Sequence, residues 1–436
     1  MQFGFDGPNG RGNRDGGSHA DVRELLPLAA LAAEAGSAGL IGTTPPGPAR
    51  VARLIAYADL LSEIARRGGQ VEVLARAASA ANRARREAGD DRGLQAVAVL
   101  ALAEVQRLGF LLFADVDAAD EARTHAEAVL ALTPTPLVAI RAKALLARLK
   151  GALALAAGDR AVVLAAVDGL EVAHKAATAL KARSAETAGY LIDRGDLLLG
   201  LAVNTQDRVL LASVEEALSD LVKRLEPDRL PLSWMRAETL RGQALTALGE
   251  AAGDAASIAE GVAALKAAAG AVLNHHSPLD AARAGHALGL SLQAMGEACE
   301  EEVLFDRAVQ AFSPALQALD RAPTLPYRAI VAHDSAVCLA RRAERRGDLT
   351  ALEEAEVAFR EALRTRNAAA DPLAWAVTQV ALARIYEAQS ALRPDTGERA
   401  DAAFALTSAL DVFSERGLRT LSDAALTALD RLKERV

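Results

Sequence analysis

From Pro231 onward the pattern of apolar and polar positions repeats every 47 residues. One column holds only small residues, Gly242, Gly289, Ala336 and Ala383, and three positions on stands a large one, Leu245, Leu292, Leu339 and Tyr386. Residues at i and i+3 share a helix face, so this pair predicts a first helix in each unit. Later in each period come Gly261, Ala308, Ala355 and Ala402, then Leu265, Phe312, Phe359 and Leu406, then Ala268, Ala315, Ala362 and Ala409. Their i, i+4, i+7 spacing predicts a second amphipathic helix. The only tryptophans, Trp234 and Trp375, fall in one column three periods apart, with Ala281 and Arg328 between them. A tryptophan at that position is expected to pack at the edge of the hairpin.

Each period opens where a helix start is chemically favoured, at Pro231, Pro278, Pro326 and Pro372, because proline suits a first helical turn and blocks an interior. Extrapolation upstream reaches Ser184, Pro136, Asp91 and Pro46, again cap or first-turn residues, at spacings of 45 to 48. Turn signals inside the units, "ARRGGQ" at 65–70, "AAGDR" at 156–160, "EAAGDA" at 250–255 and "RRGDL" at 345–349, separate paired helices. The division expected is a Gly-rich flexible tail over 1–20, an N-terminal helix and linker over 21–45, four degenerate units over 46–230, four regular units over 231–417 and a C-terminal capping helix over 418–436.

The small and large pair on the first helix, followed by A-x-x-x-F-x-x-A on the second, as in "AEVAFREA" at 355–362, resembles the tetratricopeptide repeat. That family's unit has 34 residues, and the surplus here falls once in each half of the unit, so both helices or their turns are extended. "DPLAWAVTQVAL" at 371–382 further resembles a long-repeat bacterial branch of the family. The resemblance implies an all-α fold: an α-solenoid of about eight stacked helical hairpins in a right-handed superhelix, closed by the capping helix. Contacts in such a stack are expected between neighbouring units only, and 228–436 is expected to form a self-sufficient stack.

Composition narrows the function. Apolar residues make up 51% of the chain and aromatics only 3%, which suits a core of Ala, Leu and Val between closely spaced helices. A net charge of −8 with interspersed signs offers no general attraction to nucleic acid. Cys299 and Cys338 make no disulfide framework, and both are expected to fill core positions in a reducing compartment. "LLPLAALAAEAGSA" at 25–38 lacks the basic flank of a signal peptide, and "GLQAVAVLALAEVQRLGFLLF" at 93–113 is interrupted by Glu104 and Arg107. The expectation is a cytoplasmic chain without a membrane span.

The units occupy 46–417 and leave too little chain for a catalytic domain. "GRGNRDG" at 10–16 has no strand before it and no Lys-Ser/Thr after it, so it reads as tail rather than phosphate loop. The Arg-rich stretches "ANRARREAGDDR" and "ARRAERR" carry interleaved acids and read as solvated helix ends. His286 and His333 lie one period apart, which raises a metal site, but no cysteine joins the column and Asp334 is expected on another face. No cofactor, metal or enzymatic activity is therefore expected. What remains is a protein-interaction scaffold whose concave side, lined by first helices, presents Arg236, Thr239, Gln243, Arg283, His286, His333 and Arg384 to a protein or peptide segment. A mildly basic groove in an acidic protein favours an acidic or C-terminal carboxylate ligand. The alternative is a self-associating structural protein; a metal-dependent enzyme ranks below both.

Overall fold

The computed structural model describes residues 22–39, 45–132, 134–271, 275–365, 368, 371–393 and 397–434, so the tail expected over 1–20 lies outside the described residues. Among the described residues are nineteen α-helices and no strand. Two short helices, α1 (Val22–Leu25) and α2 (Leu28–Ala38), precede eight hairpins. These are α3 (Pro48–Gly68) with α4 (Val71–Glu87), α5 (Arg92–Phe113) with α6 (Val116–Ala131), α7 (Pro136–Ala157) with α8 (Arg160–Ala179), and α9 (Ser184–Thr205) with α10 (Arg208–Arg224). The regular half follows as α11 (Pro231–Ala252) with α12 (Ala255–Ala271), α13 (Pro278–Cys299) with α14 (Glu302–Leu319), α15 (Pro326–Arg346) with α16 (Leu349–Thr365), and α17 (Pro372–Leu392) with α18 (Glu398–Glu415). A last helix, α19 (Arg419–Glu434), covers α18 with Ala425 and Leu432 buried. Six first helices start at the positions extrapolated from the period. The earliest two start at Pro48 and Arg92, because Gly47 bends the chain ahead of one helix and Asp91 caps the other by accepting the Leu94 N–H.

The hairpin turn has a repeated chemistry. In most hairpins a left-handed residue ends the first helix and an aspartate starts the second, as in Gly253-Asp254 and Gly347-Asp348, where φ is 68° and 58°, while Gln70 and Glu301 take the aspartate's place in two others. Glycine adopts this conformation without strain. In three upstream and downstream turns Ala114, Gln206 and Glu300 adopt it instead, at about 1–2 kcal/mol each. The aspartates then accept first-turn N–H groups: Asp115 from Ala118, Asp159 from Val162, Asp207 from Leu210 and Asp348 from Ala351.

Within a hairpin the small column of the first helix meets the Leu265 and Phe312 column of the second. The ring of Phe312 lies so close to Gly289 that a Cβ there would stand 2.7 Å from it, and Phe312 and Phe359 are fully buried at equivalent positions. Trp234 and Trp375 are half-buried against the cores of their hairpins. Cys338 is buried, whereas Cys299 is exposed, contrary to the expectation for both, because it is the last residue of α13 and borders the hairpin turn. Helix α5 has the length and hydropathy to cross a membrane despite Glu104 and Arg107, and most of its apolar window is buried among neighbouring helices.

The nearest-neighbour expectation fails at one place. Helix α1 packs on α11, α3 on α13 and α5 on α15, so the superhelix completes a turn and the first hairpin meets the sixth. Leu60, Leu61 and Ile64 of α3 share a continuous core with Leu279 and Leu325. Gly69 approaches Leu325 so closely that a Cβ would lie 2.4 Å from Cδ1. Polar contacts fix the register of this seam. The Glu24 carboxylate accepts the Leu232 and Ser233 N–H groups, each at 3.1 Å, and the Ser233 hydroxyl, thereby capping α11. Arg66 donates to Asp280 at 3.1 Å, and Leu28 N–H donates to the His275 carbonyl at 3.0 Å. Arg67, fully buried, holds the N-terminal turn by donating to the carbonyls of Arg23 and Leu26 and to Glu63.

Candidate functional site

The turn of the superhelix leaves a lumen with a half-open cavity. Its cavity of about 380 Å³ is walled by the first helices α5, α7, α9, α11, α13 and α15. Phe110, Leu111, Ala152, Leu197 and Leu240 give it apolar surface, and Arg107, Arg148, Asp193, Asp196, Arg236, Gln243, Asp280, Arg283 and Tyr327 give it polarity. This volume is in the range of sites for small molecules and short peptide segments.

Most of its charges are already matched. Arg107 pairs with Glu104 on its own helix at 2.6 Å, and Arg148 pairs with Asp193 and lies 5.1 Å from the centre of the Tyr190 ring. Asp280 accepts from Ser277 at 2.6 Å and from Arg66. Burial alone would raise the pKa of Asp280, but Arg66, Arg236 and Arg283 hold it well below the usual carboxylate range.

Three charges are matched poorly or not at all. Arg236 has its nearest carboxylate, Asp193, at 3.8 Å, beyond hydrogen-bond length, and burial beside Arg66 lowers its pKa. Arg283 stands 3.6 Å from Asp280 Oδ1, an oxygen without a hydrogen-bond donor, and lies 5.9 Å from the Tyr327 ring centre. Asp196 has no hydrogen-bond or ion-pair partner among the described residues. It is open to solvent within the lumen, yet enclosure by the helices and the neighbouring Asp193 raise its pKa, against a partial offset from Arg283 and Arg236. Asp59 on α3 is in a similar state: enclosure raises its pKa against the offset of Arg23, Arg141 and Arg183.

The seven residues expected on the concave face divide into two groups. Arg236, Thr239, Gln243 and Arg283 stand together on the lumen wall, with the Thr239 hydroxyl turned back to the Met235 carbonyl. His286 is buried between α13 and α15, where its Nε2 donates to Asp334 at 2.7 Å and its Nδ1 accepts from the Tyr327 hydroxyl at 2.8 Å. Asp334 therefore meets His286 across the helix pair rather than facing away from it. His333 is buried against Phe359, with Nδ1 at 3.2 Å from the Thr378 hydroxyl. Arg384 lies outside the cavity and forms a two-pronged ion pair with Glu344, both contacts 2.7 Å. Among the described residues no three His, Cys, Asp or Glu side chains converge as metal ligands.

Arg148, Asp193, Asp196 and Tyr327 join the site without having been expected there. A signal for two of them existed. The column of Gln243 and Arg384, carried one 47-residue step upstream, lands on Asp196, and one 48-residue step further lands on Arg148.

No protein-family model matches the chain, and no curated protein sequence matches it. Its fold is similar to that of a Rap protein complexed with competence and sporulation factor, at a TM-score of 0.50 and 11% identity over 89% of this chain and 99% of that one. The apo form of RapI aligns over 88% of this chain and 98% of its own at a TM-score of 0.45 and 9% identity. The fold is a helical-repeat solenoid. Its hairpins fit a tetratricopeptide-like architecture.

Proposed function

We propose that the chain is a non-catalytic binding scaffold whose lumen receives a protein or peptide segment. The observation that carries this reading is the half-open cavity itself, walled by six first helices and supplied with guanidinium groups, Arg236 and Arg283, whose donors are left open. Open guanidinium donors favour a carboxylate-bearing ligand. The similar Rap structure is a complex with competence and sporulation factor, which supports a binding role for this architecture. Fold alone does not fix function, so the weight rests on the cavity.

Affinity capture from native lysate with mass-spectrometric readout tests the reading. The wild type should retain a partner that an Arg236→Ala/Arg283→Ala variant releases, while Arg384→Ala, outside the cavity, behaves as wild type. Equal recovery by all three proteins would remove the lumen from the binding surface.

Self-association is the second reading. It draws on exposed valines at the start of alternate second helices, Val116 of α6, Val209 of α10 and Val303 of α14, the middle one 82% exposed. Light scattering over a concentration series decides it, since a monomer at every concentration is incompatible with assembly. An enzymatic reading has only His286 and His333 to rest on, and both are engaged by neighbouring side chains.

A further inference from the structure

We infer that the lumen selects a dipolar ligand: a short peptide segment whose cationic group sits against Asp196 and whose carboxylate sits against Arg236 and Arg283. This rests on the scaffold reading above and adds the charge pattern of what is bound.

The lumen carries charge left over after its internal pairs are made. Within the cavity, Arg107, Arg148, Asp193 and Asp280 have close partners of opposite sign. Asp196 on α9 has none, and Arg236 on α11 and Arg283 on α13 have carboxylates only at 3.8 and 3.6 Å. The three feel one another's charge, yet no ion pair closes between them, and each stands on a different helix of the wall. Asp196 is solvent-exposed, so its charge is tolerated without a partner, and the wall's unmet demand is for ligand groups of opposite charge.

Singly charged ligands relieve only part of it. A purely acidic segment would satisfy the guanidinium groups but place its charge beside Asp196. A purely basic one would satisfy Asp196 and be repelled by Arg236 and Arg283. Rejection by like charge is as much a source of selectivity as attraction. The cavity of about 380 Å³ holds a few residues rather than a folded domain, which confines both groups to a short stretch.

The test is affinity selection from a random library of short peptides with blocked termini, using the full chain as bait. The wild type should recover peptides that carry both Lys or Arg and Asp or Glu. Asp196→Asn should lose the basic preference and bind the recovered peptides about ten- to a hundredfold more weakly. Asp196→Lys should recover purely acidic peptides, and Arg236→Gln/Arg283→Gln should lose the acidic preference. Asp196 holds no partner, so thermal melts of its variants should match the wild type and show that they are folded. A second arm with free termini tells chain ends from side chains. If the ends supply the charges, side-chain preferences fade while Asp196→Asn still weakens binding. Recovery of acidic peptides alone, unaffected by Asp196→Asn, would overturn the dipolar inference and leave the scaffold reading standing. Recovery of nothing above bead background in either arm by a folded wild type would overturn the scaffold reading itself.

Discussion

Replacing Glu24 by alanine is expected to loosen the molecule at two places 208 residues apart. Glu24 belongs to a four-residue helix near the N-terminus, and its carboxylate does the capping that α11 cannot do locally. Pro231 opens α11 without an N–H, and Leu230 before it offers no side-chain acceptor, so Leu232 and Ser233 present the first free donors. Glu24 accepts both N–H groups at 3.1 Å and the Ser233 hydroxyl as well, in a site where it is only 8% exposed. Losing a side-chain cap costs about 0.5–2 kcal/mol, and losing a hydrogen bond to a charged group about 1.5–3 kcal/mol. The two descriptions overlap, since they count the same donors, so about 1.5–3 kcal/mol is expected for Glu24→Ala. Glu24→Gln keeps the shape and one carbonyl acceptor and should lose about half of that. Urea denaturation gives the magnitude, and hydrogen exchange gives the place. Amides at 232–235 should exchange faster together with those at 24–28, while α17 and α18 stay unchanged. A loss below about 0.5 kcal/mol, or faster exchange confined to the N-terminal segment, would refute the assignment of Glu24 as the cap of α11.

Other outcomes follow from the packing. Phe312→Ala and Phe359→Ala should each cost about 3–5 kcal/mol and by similar amounts, because both rings are buried at the same repeat position beside a histidine; unequal denaturation midpoints would argue against repeat equivalence. Gly289→Ala should cost about 1–3 kcal/mol by forcing a Cβ onto the Phe312 ring, and a thermal melt equal to wild type would contradict that contact. Acid should open the seam: burial would raise Glu63, but Arg66 and Arg67 hold it down to about 2, and Asp280 is likewise lowered, so their stabilisation is full above about pH 4.5 and is lost as pH falls towards 2. Asp59 and Asp196, both raised, act in the opposite direction, so exchange at 232–235 rather than the global melt is the proper readout. Residues 228–436 expressed alone should keep their helicity and melt cooperatively but lose solubility, since Leu279 and Leu325 are bared and Asp280 loses Arg66; an unfolded fragment would show that the hairpins are one interdependent unit.

The local structure was legible because its causes are local. Proline at helix starts, Gly-Asp at hairpin turns and the Gly289–Phe312 type of column pair each act within one 47-residue unit, and the period exposes them. Closure of the superhelix was not legible, because it depends on a small rotation per hairpin summed over five hairpins, and no residue announces that sum. The fates of His286 and His333 show the same limit. Spacing placed them in one column with Thr239, but whether that column faces the lumen or the adjoining helix depends on helix rotation of a few tens of degrees. Packing against Phe312 and Phe359 decides it. Arg236 and Arg283 could be assigned to the inner wall from sequence, whereas the loneliness of Asp196 could not, since an absent partner leaves no trace in a pattern.

Solenoids ordinarily tolerate the gain or loss of whole units, because each added hairpin brings its own contacts. This one has given up that freedom over its first six. Deleting a hairpin between α3 and α13 would bring Glu24 to the wrong helix start and leave Arg66 without Asp280, and duplicating one would do the same in the other direction. Beyond α15 no helix among the described residues packs extensively on the first turn, so the last hairpins are where length can change. The chain is thus a counted array at one end and an open-ended one at the other, and its copy number of repeats is written in the meeting of Glu24 with Ser233.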